Sequence, residues 1–370
     1  MSKKYERYFR HFRRCLIVVG IGGALIAAGL TDFVFANHQT NQAAAVEWRW
    51  TAAEEKTIRQ KLLPQVTANR DGSFSLESAD WRVTTYLTPL FTAQAAAYLD
   101  FFAAVFQRAF PFKDAAKRRD YKPLALIYKS RADYLRHSGA EEWSAGICRH
   151  ALGADGKPQI TLFTYYEPRE REALAFDDRA PLSTIQHEAT HALLFRLLSA
   201  PIPLWLNEGA ATYYGHWQPR QKITNLGNRP VDVAARRSRA DKSAAPERLR
   251  EFYRARPDAP LPSLSRLIAG DTDKEFYADD GGEATRLNYL LAESFIDFLM
   301  RSQKRRPLLQ AIIERVQARK KPLTATELRR CEAQWLVFLK DKWDVPLAEK
   351  RLRRQLQNLQ SRAPVDLSVE

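Results

Sequence analysis

At 370 residues, with 45% hydrophobic and 11% aromatic side chains, the chain can bury one sizeable core and carry smaller decorations. It shows no internal repeat and no glycine-rich phosphate loop. The formal charge of +15 raises a nucleic-acid reading, but no nucleic-acid module is recognisable, so no nucleic-acid partner is expected and the excess is read as a solvated basic surface.

The first fourteen residues hold Lys3, Lys4, Arg7, Arg10, Arg13 and Arg14 against one acid, Glu6, and residues 15–30 are apolar. This is the pattern of an export signal with the N-terminus held inside the cytoplasm. Residues 15–36 are expected either to remain as a single-pass signal anchor or to be cleaved after Val34-Phe35-Ala36, giving a secreted chain that starts at Asn37. The anchored form is favoured, with the rest of the chain extracytoplasmic or periplasmic. Arg13-Arg14 fits a twin-arginine signal poorly, and Cys15 lacks the small residues that precede a lipoprotein cysteine. Outside the cytoplasm, the remaining positive charge would meet anionic lipid headgroups or cell-wall polymers.

Residues 37–80 read as a linker with a helix at 51–63. The main domain is expected over 81–345. It opens with a strand at 81–86 and an alanine-rich helix at 93–110, followed by a strand at 124–128 that runs into a helix. A strand at 159–163 alternates enough to sit in a sheet. It is expected to form a cleft edge on which an extended substrate could add through main-chain bonds, the alternative being an ordinary half-buried edge strand.

Residues 183–194 carry His187-Glu188-Ala189-Thr190-His191 in an apolar, helix-compatible run, with Pro181 before it, a candidate capping box at Ser183 and Gln186, and Pro201 and Pro203 after it. On a helix, positions i and i+4 share a face, so both imidazoles can meet one divalent ion. That is zinc chemistry, with Glu188 offset to reach a metal-bound water as general base. The longer metzincin motif is excluded, because Leu194 stands at its glycine position and Leu197 at its last histidine. A second helix over 203–214 carries one carboxylate among apolar residues, Glu208, the natural third ligand. Asn207 beside it either supports a ligand or merely starts the helical turn.

These two blocks resemble the gluzincins, zinc metallopeptidases that complete H-E-x-x-H with a glutamate on the following helix. The stretch Trp205-Leu206-Asn207-Glu208-Gly209-Ala210-Ala211 is similar to the N-E-G-x-A block of their aminopeptidase branch, and the short connection brings the peptidase MA-like family closer. The resemblance spans roughly residues 81–343, and only the two metal blocks are specific. It implies an α+β zincin-like domain, one zinc ion held by His187, His191 and Glu208, Glu188 as base, and a peptide or protein substrate. An electrophilic donor should face the reacting carbonyl. Tyr289, in a helix expected at 288–300, is the first candidate, and Tyr213, Tyr214, His216 and His150 are the others; the alternative for Tyr289 is a core aromatic bonded to backbone. The alternative for the whole chain is a catalytically inactive metal-binding envelope scaffold.

Beyond the metal blocks, residues 216–262 read as a polar surface insertion, 307–319 and 324–343 as closing helices, and 346–370 as a charged, helix-compatible tail. Cys148 and Cys331 would pair in an oxidising space or remain buried thiols, with no zinc role.

Overall fold

The computed structural model describes residues 50–110, 121–142, 144–152, 158–167, 182–198, 201–215, 245–269, 276–277 and 282–361. Residues 15–36, expected as a signal anchor or cleaved signal, and their basic flank lie outside these residues, as do Pro181 and His216.

Thr51 caps the first helix, α1 (Ala52–Thr57), through a capping box with Glu54. The chain then passes through a wider turn at Ile58–Leu62 and a tighter one at Leu63–Gln65, where Pro64 lacks the N–H that a regular helix would need. Two short strands, β1 (Thr67–Ala68) and β2 (Phe74–Glu77), follow within the segment read as linker. The turn between them uses Gly72 at φ +80°, a conformation that favours glycine.

Strand β3 (Arg82–Thr85) leads into α2 (Pro89–Ala109), whose N-terminus is set by Thr88 accepting the Phe91 N–H and by Pro89 at the start. By length and composition α2 could cross a membrane, yet 72% of its apolar window is buried inside the protein, against β2, β3 and a helix described below. It is a core helix. Next come β4 (Leu124–Tyr128), α3 (Arg131–Ser138, stopped by Gly139 at φ +58°), β5 (Gly146–Leu152) and β6 (Pro158–Tyr165).

The strands form one six-stranded mixed sheet in the order β1-β2-β3-β4-β6-β5. β3, β4 and β6 run parallel, and β5 returns antiparallel to β6, with Gly146 opposite Thr164 and Leu152 opposite Pro158. This corrects the expected cleft edge: β6, at 158–165, is flanked on both sides, and among the described residues β5 forms the edge beside it. Ile160, Leu162 and Thr164 of β6 all point into the core.

Helices α4 (Leu182–Leu198) and α5 (Leu204–Gly215) pack on each other, with α4 also against β5 and β6. Ser183 lies inside α4 rather than capping it. Helix α8 (Glu283–Arg301) lies against α5 at an approach that only glycine permits: a Cβ at Gly209 would sit 2.8 Å from the Ala292 carbonyl oxygen. Within the segment read as an insertion, α6 (Ala245–Ala255) buries Leu249 and Tyr253 and packs on α8, and α7 (Leu264–Ala269) follows.

The chain closes with α9 (Arg306–Gln317), α10 (Ala325–Asp341) and α11 (Glu349–Gln360), the last docked through Leu352. Two indoles tie this layer to α8: Trp335 Nε1 donates to Ser294 Oγ at 3.0 Å and Trp343 Nε1 to Asp297 Oδ2 at 2.8 Å. Cys148 on β5 and Cys331 on α10 are free thiols, so of the two readings the unpaired one is observed. The architecture is mixed α/β, a helical layer built against a six-stranded sheet.

Candidate metal centre

One helical turn separates His187 from His191 on α4, and their Nε2 atoms lie 3.2 Å apart. From α5, Glu208 brings Oε2 to 3.6 Å from His187 Nε2 and 3.5 Å from His191 Nε2. Three donor atoms thus converge in a group that could hold a metal ion. The side chains of His191 and Glu208 are 9% and 8% exposed while His187 is 25% exposed, so the centre opens on the His187 side.

Neighbouring groups hold two of the three donors, His191 and Glu208. Asn207 Oδ1 lies 2.9 Å from His191 Nδ1, where it accepts that N–H and leaves Nε2 facing the centre. Of the two readings of Asn207, the supporting contact is the one observed. Glu208 Oε1 accepts the Tyr277 hydroxyl at 2.8 Å. Tyr289, from α8, packs its ring 6.3 Å from that of Tyr277; burial, then the Glu208 charge, push its pKa well above the ordinary tyrosine value.

Glu188 is buried beside the triad without joining it. It faces the edge strand, where the nearby Cys148 backbone N–H favours the charged carboxylate. Gly146 makes the fit possible, since a Cβ there would come within 2.8 Å of Glu188 Cγ and 2.7 Å of Thr184 Cγ2. Burial raises the Glu188 pKa, opposed by His187 and His191. Between His191 and Glu208 attraction outweighs burial. Burial pulls the imidazole down, but the Glu208 carboxylate pushes it up to about 9. Burial likewise favours a neutral Glu208, yet His191 and His187 hold its carboxyl well below the usual range.

The other sequence candidates sit elsewhere. Tyr214 is a core residue among Phe102, Phe106 and Phe110, at ring separations of 5.8, 5.2 and 5.8 Å. Tyr213 packs edge-on against it at 5.2 Å. His150 is exposed near the end of β5 and stacks on Phe195 at 5.3 Å. Sequence reasoning missed Tyr277 and Gly146. Tyr277 lies in the acidic stretch Asp271-Thr272-Asp273-Lys274-Glu275-Phe276-Tyr277, which has no motif or periodicity to mark it.

A scan against protein-family models and a search of curated proteins return no match for this chain. The gluzincin resemblance therefore rests on these residues alone.

Proposed function

We propose that the protein is a zinc-dependent peptidase of the gluzincin type, similar to the peptidase MA-like family, with a zincin-like domain acting outside the cytoplasm. The observation that carries this reading is the convergence of His187, His191 and Glu208 from two packed helices, with Glu188 buried at their side. Zinc suits the donors in kind and spacing. A tetrahedral ion at about 2.0–2.2 Å from each ligand sets its donors about 3.3–3.6 Å apart, against the 3.2–3.6 Å observed. Magnesium prefers oxygen ligands and, at about 2.1 Å in octahedral geometry, would set adjacent donors about 3.0 Å apart.

When bound, zinc supplies Lewis acidity, polarising a carbonyl oxygen and lowering the pKa of a water towards about 7. Glu188 accepts the proton of the attacking water at its carboxylate and hands it to the departing amine nitrogen, and burial makes the carboxylate a stronger base for the first step. Tyr289, close to Glu208, is the donor placed to meet negative charge on the carbonyl oxygen, a contribution typically worth about 3 kcal/mol. The outer edge of β5, beside Glu188, offers main-chain groups on which an extended peptide adds as a seventh strand. The basic head and apolar run of residues 1–30 tether the protein to the membrane, and the surplus positive charge faces anionic envelope surfaces.

The test is metal content by mass spectrometry together with hydrolysis of a peptide library, comparing wild type with Glu188→Gln and Glu208→Ala. One zinc per chain with cleavage is expected for wild type, zinc without turnover for Glu188→Gln, and loss of zinc for Glu208→Ala. Stoichiometric zinc with no cleavage of any peptide turns the assignment to the inactive scaffold, and a wild type without zinc overturns the centre itself.

A further inference from the structure

The two carboxylate oxygens of Glu208 have different surroundings. Oε2 faces His187 and His191, whereas Oε1 is taken by the Tyr277 hydroxyl. We propose that Tyr277 is a positioning residue that keeps Glu208 a one-oxygen ligand, so that the coordination position beside it stays open for water and substrate. The proposal rests on the reading of His187, His191 and Glu208 as a metal centre.

A carboxylate can bind an ion through one oxygen or two, and a catalytic site needs one protein donor fewer than a closed structural site. If Oε1 swung inward, it would occupy the position the reaction requires. The hydroxyl of Tyr277 holds it outward by a bond of ordinary length, 2.8 Å.

Tyr277 is itself held by a built arrangement. Phe276, 1% exposed, plugs the core beside it. Two side chains of α8 secure the backbone of the pair: Asn288 Nδ2 donates to the Phe276 carbonyl at 2.8 Å, and the Thr285 hydroxyl donates to the Tyr277 carbonyl. The Tyr289 ring packs 5.5 Å from Phe276 and 6.3 Å from Tyr277. Helix α8 thereby delivers two tyrosines to the centre, Tyr289 directly and Tyr277 through the carbonyls it grips.

Tyr277→Phe removes the hydroxyl and keeps the ring packing. The full-length protein would be stripped, reloaded with Co2+ and its visible spectrum recorded, with Zn2+ affinity measured by chelator competition. Relative to wild type, Tyr277→Phe is expected to show weaker, shifted cobalt bands as a further oxygen enters the coordination shell, and about 10–100-fold weaker zinc binding, the usual effect of losing an outer-sphere partner. Thr285→Val, which loosens the Tyr277 backbone without touching its hydroxyl, should shift both readouts in the same direction and by less, and serves if Tyr277→Phe fails to fold. Wild type that binds metal alongside a Tyr277→Phe protein of identical spectrum and affinity overturns the role of Tyr277 and leaves the proposed function standing. Wild type that takes up neither ion overturns both.

Discussion

Gly146 of the edge strand and Glu188 of α4 are so closely apposed that a methyl group on the first would sit 2.8 Å from Cγ and 3.2 Å from Oε1 of the second. The contact is side chain against backbone, so the carboxylate must yield if a Cβ is added. Gly146→Ala is expected to cost about 1–3 kcal/mol of stability through overpacking and to lower peptide hydrolysis on the order of 100-fold by displacing the base. Zinc content should stay at the wild-type level, because no ligand is touched. Metal analysis with rate measurement on one preparation checks this, and a wild-type rate would show that Glu188 is not positioned by the strand.

His191 offers a second handle. Asn207→Ala removes the acceptor on Nδ1, and zinc affinity is expected to fall about 10–100-fold. Asn207→Asp keeps an acceptor there and should bind zinc about 10-fold more tightly than Asn207→Ala. Equal affinities for the two variants, in competition against a chromogenic chelator, would remove the orienting role.

The protonation of the metal-free centre predicts a pH dependence. His191 titrates at about 9 in the folded protein against an ordinary 6.5, so between those values the metal-free centre holds a proton that an incoming ion must displace. Zinc affinity should therefore climb about tenfold per pH unit across this window and flatten above it. The stability linkage has the opposite slope. A raised imidazole contributes fully below pH 6.5 and its contribution is lost as pH rises through about 9. The chelator-treated protein should accordingly melt at lower temperature at pH 9.5 than at pH 6.5, and the zinc-loaded protein should show a smaller decline. A flat affinity profile from pH 6.5 to 9 would contradict the His191–Glu208 pairing.

Helix packing behind the centre gives a test that needs no metal. Gly209→Val would press a branched side chain on the Ala292 carbonyl, where even a single Cβ lies 2.8 Å away. A loss of about 1–3 kcal/mol or more is expected, read as a drop of roughly 1–2 °C in Tm for each kcal/mol at an unfolding entropy of about 2.1 cal/mol/K per residue. The metal-free protein should show the full drop. An unchanged Tm would mean that α5 and α8 do not approach as closely as described.

Local signals made the part of this fold that carries the candidate metal centre legible. The i, i+4 histidines, the proline pair and the lone carboxylate of the next helix mark α4 and α5, and the apolar run at 124–128 matches β4 residue for residue. Helix α8 begins at Glu283, five positions before the expected 288, because Thr285 and Asn288 spend their polar groups on the 276–277 carbonyls rather than on any recognisable cap. What escaped depends on distant partners. β1 and β2 are too short for a period to show, and β5, Gly146-Ile147-Cys148-Arg149-His150-Ala151-Leu152, mixes its polar and apolar residues without clean alternation. With β5 unseen, β6 was expected at the edge. Tyr277 acquires its role only through the fold of α8, as does Gly146 through the approach of α4.

The two indoles that fasten α10 and the turn after it to α8 give the end of the chain a mechanical role at a distance. Helix α8 bears Tyr289 near one end and, further along, Ser294 and Asp297, which receive Trp335 and Trp343. It therefore works as a strut clamped on one side and loaded on the other. The exposed run Arg319-Lys320-Lys321, in the link between α9 and α10, is a natural target for a trypsin-like protease. A nick there would slacken the clamp, and the tyrosines at the loaded end would lose their footing although no residue of the centre had been cut.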